Sequence, residues 1–200
     1  MPDLAAEALR YLGADDSLRP DAEKMLASLN IQPRWRWKLA DGLILPGETA
    51  KAMLHACRHR CILIATLGEA FDAKLRAMQA RDMAKAVLMD ACGSALVEHA
   101  CDEAEKEIAA RFEGMHLTDR FSPGYGDLPL SVQEELCRTM DAARTLGVHM
   151  APSFMLQPFK TVTAIIGIAD TPQPMRIRGC EYCSLRGRCA IHKGGKRCAL

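Results

Sequence analysis

Residues 82–112 constrain the fold most. Val97, Cys101, Ala104, Ile108 and Phe112 recur there at helical spacing and form one apolar stripe. Asp82 stands where an N-cap belongs. One position over run Asp90, Ser94, Glu98 and Asp102, each four apart and therefore on one face. As a whole, that second stripe reads as a solvated acidic edge of a long helix. Ala91-Cys92-Gly93-Ser94-Ala95 is a run of small residues inside the same helix. A helical Gly costs ~1 kcal/mol against Ala, so its presence points to close packing by another backbone or by a ligand.

The other elements follow from shorter patterns. Residues 2–30 read as short helices broken at Gly13 and Pro20. Arg34 to Leu39 alternates, Asp41-Gly42 follows, and Leu43-Ile44-Leu45 resumes the apolar pattern, which is a hairpin signal. A helix opens at Pro46-Gly47-Glu48-Thr49 and runs to about Arg58. Cys61 to Leu67 is a continuous apolar run and reads as a buried strand. A helix over 69–79 precedes the long one. Ser131 with Glu134 predicts a capping box for a helix that Gly147 ends. Phe154-Met155-Leu156 and Val162 to Ile168 read as two more strands. The order is not a regular βαβ alternation. It predicts an α+β fold with an antiparallel or mixed twisted sheet, flanking helices and one long central helix. Pro172 and Pro174 mark a linker, so residues 1–172 form the domain and residues 173–200 a separate Cys-rich tail.

Charge is unevenly placed. The chain stands at +1, yet Arg176 to Arg197 holds seven basic residues against Glu181 alone, so the remainder is net acidic. That balance gives no reason to expect a nucleic-acid partner. No apolar run approaches the ~20 residues that span a bilayer, and Met1-Pro2-Asp3-Leu4 lacks the basic-then-apolar order of a signal peptide. A cytoplasmic protein is expected, whose nine Cys serve as thiols or metal ligands rather than disulfides. Cys92, Cys101 and Cys137 read as small buried residues. His55, Cys57, His59 and Cys61 straddle a helix end and a strand start, so their side chains are not expected to converge.

Arg120-Phe121-Ser122-Pro123-Gly124-Tyr125-Gly126 is a shaped loop. Pro123 fixes its own φ, and the glycines admit positive φ. Arg120 can hold a carboxylate in bidentate fashion. A loop with bare backbone beside a fixed guanidinium suits a small zwitterion carrying a flat ring.

Arg-x-x-Pro-Gly-Tyr, set between a long helix and a second helix, resembles the activation (reactivation) domain of cobalamin-dependent methionine synthase, in a stand-alone form. Gly93 to Glu98 is similar to the family's helix, and Leu156 to Thr163 to the stretch before one of its strands. The resemblance covers roughly residues 60–170. It implies S-adenosylmethionine as ligand: Glu98 facing the ammonium, Arg120 the carboxylate, backbone around Ser122 and Gly124 reading the adenine edge, and Tyr125 packing on the ring or ribose. It implies no catalytic acid or base. The family's strand Tyr falls near Ile166 here, and the Asp that the large enzyme contributes upstream has no match.

Cys180, Cys183, Cys189 and Cys198 place four thiols in one short basic tail. Tetrathiolate sites hold zinc or iron–sulfur clusters. Only the first pair is closely spaced, which favours a [4Fe–4S] cluster slightly over zinc, and the surrounding cations offset its negative charge. Small stand-alone relatives of the domain look similar in carrying such a tail. No Asp-x-His-x-x-Gly of corrinoid carriers occurs, so cobalamin is expected on a partner. The expected role is an S-adenosylmethionine-binding accessory to the reductive reactivation of a separate cobalamin-dependent methyltransferase that lacks its own activation domain, with an electron donor as a further partner. The alternative is an iron–sulfur electron carrier or a zinc-stapled docking module that no longer binds S-adenosylmethionine.

Overall fold

A computed structural model describes residues 3–173 and Gly187. The Cys180, Cys183, Cys189 and Cys198 set lies outside those residues. The elements are α1 (Leu4–Leu12), α2 (Arg19–Leu29), β1 (Arg34–Leu39), α3 (Glu48–Leu54), β2 (His59–Thr66) and α4 (Glu69–Gln79). There follow α5 (Met83–Arg111), β3 (His116–Leu117), α6 (Val132–Met140), α7 (Ala142–Leu146), β4 (His149–Met150), β5 (Leu156–Gln157) and β6 (Thr161–Ala169). The fold is α+β. Its main sheet has four strands in the order β1-β2-β6-β3, every neighbouring pair antiparallel, and β4 with β5 forms a small second sheet.

Strand β2 explains the architecture. Cys61, Ile62, Leu63, Ile64 and Ala65 are each 0% exposed. Successive side chains point to opposite faces, so a continuous apolar strand must be covered on both. Cys61, Leu63 and Ala65, with Ala164, Ile166 and Ile168 of β6, pack under α1, α2, α4 and α5. Ile62, Ile64 and Ile165 pack against α3, α6, α7 and the loops carrying Leu43, Leu45, Phe121 and Leu128. Helices therefore lie on both faces of the sheet.

The long helix forms almost as its pattern predicts. Asp82 accepts a hydrogen bond from the Lys85 N–H at 3.1 Å and caps α5. The small run has a specific packing reason: a Cβ on Gly93 would stand 2.2 Å from Phe71 Cζ. Phe71 of α4, itself fully buried, fills the space that small residues leave, and no ligand is needed to account for it.

Two local signals are overridden. The hairpin across Asp41-Gly42 does not form. β1 pairs instead with β2, in the register Arg34↔Thr66 to Leu39↔Cys61. Asp41 accepts from the Arg60 N–H at 2.9 Å and lies 2.9 Å from His59 Nδ1, tying the turn to the start of β2. Leu43 and Leu45 enter the core while Ile44 stays exposed, so the three-residue run is a buried connection. The eight-residue β2 offers the longer ladder and wins the pairing. At Ser131 the backbone is already helical (φ −58°, ψ −20°) and the side chain makes no capping bond, so the capping box is absent. The helix from there divides at Asp141 (φ 49°) into α6 and α7, and Gly147 ends it in the left-handed region as expected.

Candidate functional site

The loop after β3 is strapped to the sheet before it turns. Phe121 bridges to Ile165 of β6 through two backbone bonds, Phe121 N–H to Ile165 O at 3.1 Å and Ile165 N–H to Phe121 O at 2.8 Å. Neighbouring side chains then point to opposite faces. Phe121 is 1% exposed among the residues around α3 and α6. Arg120 turns the other way, onto α5.

Beyond Phe121 the loop closes on itself. The Tyr125 N–H donates to Ser122 O at 3.2 Å, the Gly124 N–H to Leu128 O at 2.9 Å, and the Leu128 N–H to Tyr125 O at 3.0 Å. Gly124 adopts φ +94°, a conformation open to glycine and strained for other residues. Pro123 and Leu128 are buried and Tyr125 is half exposed. Of the backbone around Ser122 and Gly124 expected to read an adenine edge, the Gly124 N–H and the Ser122 carbonyl are therefore engaged within the loop.

Arg120 sits at the junction of loop and helix with its side chain 9% exposed. Its Nη2 lies 2.8 Å from Glu98 Oε2, and its Nη1 lies 2.7 Å from Asp102 Oδ1 and 3.0 Å from Glu105 Oε1. Burial alone would weaken the charge on this guanidinium. The hydrogen bond to Asp102 and the charges of Glu105 and Glu98 outweigh that and hold its pKa above the usual value. The two residues assigned to opposite ends of a zwitterion thus pair with each other. Asp102 belonged to the stripe read as a solvated edge. Glu105 was missed, although it falls on the same helical face at i+7 from Glu98.

A second polar cluster lies along α5. Lys160, just before β6, places Nζ 2.9 Å from Asp90 Oδ2 and 2.9 Å from Ser94 Oγ. The turn that delivers it is held by Asp72 of α4, whose Oδ2 accepts from the Phe159 N–H at 2.8 Å. Asp90 and Ser94 also line a groove of about 380 Å³ whose other wall is Tyr11 and Leu12 of α1. The Tyr11 hydroxyl is held above its usual pKa by burial and then by the charge of Glu98. Ile166 is 0% exposed in the core under α5, so no side chain there reaches the loop.

Among the described residues no group of three or more His, Cys, Asp or Glu is arranged to hold a metal ion. His59 is engaged by Asp41, and Cys61 is fully buried in the sheet. Nor is any helix among the described residues long and apolar enough to cross a membrane.

No family model and no curated protein matches the chain. Among solved structures, the chain is similar to the crystal structure of the MetH reactivation domain bound to AdoHcy, with a TM-score of 0.57. The match covers 91% of this chain and 75% of that one at 12% identity. At that identity the likeness speaks to the fold alone: an α+β domain with a long helix packed on an antiparallel sheet.

Proposed function

We propose that this chain binds S-adenosylmethionine at the junction of α5 with the Arg120 loop, and that it serves the reductive reactivation of cobalamin on a separate methyltransferase such as methionine synthase. The observation that carries the reading is the Glu98–Arg120 pair, a carboxylate and a guanidinium 2.8 Å apart, in a fold of the kind seen with AdoHcy in MetH. S-adenosylmethionine brings both complements: an ammonium for Glu98 and a carboxylate for Arg120.

The geometry suggests an exchange. Glu98, with 41% of its side chain exposed, is within reach of the ligand ammonium. As the ammonium takes Glu98, Arg120 Nη2 turns to the ligand carboxylate while Nη1 stays on Asp102 and Glu105. Ser122, Gly124 and Tyr125 wall the ligand beyond, with the exposed Tyr125 ring against the ribose. The protein positions the donor and sets its electrostatics. Cobalamin on the partner would supply the methyl acceptor after a one-electron reduction by a separate donor, and the bound methyl donor would be left as S-adenosylhomocysteine. Cys180, Cys183, Cys189 and Cys198 would hold a [4Fe–4S] cluster able to pass on that electron, or zinc as a staple. The partner is a cobalamin-binding protein without its own domain of this kind, and the setting is cytoplasmic.

A second reading is an iron–sulfur carrier or zinc-stapled docking module without S-adenosylmethionine. Arg120 favours it in one respect, since three carboxylates already satisfy it. Calorimetry with S-adenosylmethionine separates the two. Saturable binding that Arg120→Ala abolishes supports the first, and no heat at millimolar ligand leaves the second. Metal content and the visible spectrum after anaerobic purification decide the tail: iron with sulfide supports the relay, and one zinc in a colourless protein ends it.

A further inference from the structure

We propose that Asp127 is a positioning residue for the ligand loop: its carboxylate fastens the far end of the Arg120 loop to the first turn of α3, and so sets how firmly Gly124 and Tyr125 stand against the ligand. This rests on the S-adenosylmethionine reading and adds to it a residue that touches no ligand. At its near end the loop is held by Arg120 on α5 and by the Phe121–Ile165 bridge. At its far end Asp127 Oδ2 accepts from the Glu48 N–H at 2.6 Å, and the Thr49 N–H lies 3.2 Å from Oδ1 and 3.3 Å from Oδ2.

The chain is shaped for this joint on both sides. The first N–H groups of a helix have no carbonyl of their own helix to bond. At the N-cap of α3 stands Gly47, which has no side chain to offer. The cap comes instead from a carboxylate seventy-eight and seventy-nine positions along the chain. Gly47 also lets that carboxylate in. It adopts φ +92°, and a Cβ there would stand 2.7 Å from Asp127 Oδ1 and 3.0 Å from the Asp127 carbonyl oxygen. Helix α3 is a firm anchor, since Ala50, Met53 and Leu54 are buried in the core with Ile62 and Ile165.

The joint reaches the ligand wall through the turn itself. Asp127 lies between Tyr125 and Leu128, and Leu128 closes the turn by accepting from the Gly124 N–H and donating to Tyr125 O. A shift of Asp127 is thus carried to both wall residues. Tyr125 is half exposed, so packing alone holds its ring weakly. Asp127 is itself exposed, and its carboxylate gains little from burial. What it contributes is the fixed placement of the turn. A loop ordered before the ligand arrives spares binding the cost of ordering it.

Calorimetry with S-adenosylmethionine on a small set of variants tests the role, with urea midpoints measured alongside. Asp127→Ala should weaken binding about tenfold, as expected if the ordered loop falls to about one part in ten. Asp127→Asn keeps an acceptor oxygen and ranks with Asp at helix N-termini, so it should restore affinity to within about threefold. Asp82→Ala removes a cap of the same kind from α5, sixteen positions and about 24 Å of helix before Glu98. It should leave affinity within about twofold, which separates positioning from a general loss of stability. Gly47→Ala opens the joint from the α3 side with Asp127 intact and should weaken binding as Asp127→Ala does. The double variant should then bind no worse than the weaker single one. Asp127→Ala that binds as tightly as Asp82→Ala, Asn that fails to restore affinity, or additive losses in the double variant would each overturn the positioning role alone. Failure of the unmodified protein to bind S-adenosylmethionine overturns the reading beneath it and this role with it.

Discussion

Arg120 of the loop and Glu98 of α5 hold each other at 2.8 Å across twenty-two positions of chain, with Asp102 and Glu105 on the same guanidinium. One buried cation therefore gathers three carboxylates that would otherwise repel. The contact that positions a ligand site is also a joint between the loop and the long helix.

Removing the cation should expose both roles. Arg120→Ala leaves three like charges around an emptied space, and breaking a buried pair commonly costs ~3–5 kcal/mol. The carboxylates are 28–53% exposed, so a loss nearer 2 kcal/mol is expected, roughly half of the buried-pair cost. Urea unfolding measures it. Asp102→Asn should cost less in the Arg120→Ala background than alone, because there it relieves repulsion. Additive losses would mean that the cluster is not a unit.

Gly93 is required by Phe71, not by its own backbone. Its conformation is helical, where Ala would gain ~1 kcal/mol. The added Cβ would meet Phe71 Cζ at 2.2 Å in a fully packed interior, however. Overpacking costs ~1–3 kcal/mol, so Gly93→Ala should destabilise on balance. In a Phe71→Leu background the same change should be nearly neutral or favourable. Thermal unfolding of the four proteins closes that cycle.

These two joints mark where sequence reading succeeds and stops. Helix α5 was legible because its period repeats over many turns, and β2 because a short apolar run rich in β-branched and aliphatic residues that stops at Gly68 suits a strand covered on both faces. The hairpin at Asp41-Gly42 misled because a turn signal says nothing of a stronger partner eighteen residues on, where His59 and Arg60 claim Asp41. Glu98 and Arg120 were identifiable as residue types on a helix and a loop. Their mutual pairing was not, since it depends on the Phe121–Ile165 bridge that turns Arg120 toward α5. Lys160 was missed for the same reason: its partners Asp90 and Ser94 are about seventy residues away.

The Asp41 contact should appear in acid. Hydrogen bonds from His59 and from the Arg60 N–H hold its carboxyl below the usual 3.8. A depressed folded pKa stabilises above the unfolded value and loses that contribution as pH falls through the folded one. The stability gap between the unmodified protein and Asp41→Asn should thus be full above about pH 4 and close below it. Urea midpoints across pH 2–6 check this. A gap that persists at pH 2 would assign Asp41 a role independent of its charge.

The buried thiols set the alkaline limit. Burial pushes Cys61 and Cys101 up to about 12 and Cys92 to about 11, from a usual 9.0. Here the sign is reversed: a raised folded pKa leaves stability complete below the unfolded value and removes it as pH climbs through the folded one. Stability should decline from about pH 9 upward, and less steeply when Cys101 is replaced by Ala, which also leaves a small cavity. The same burial makes these three thiols inert, since the thiolate is the reactive form. Native-state labelling with a disulfide reagent at pH 8, read by mass spectrometry, should leave Cys61, Cys92 and Cys101 unmodified until denaturant is added. Rapid modification of Cys101 in the folded protein would mean that the Arg120 joint above it opens far more readily than its ion pairs imply.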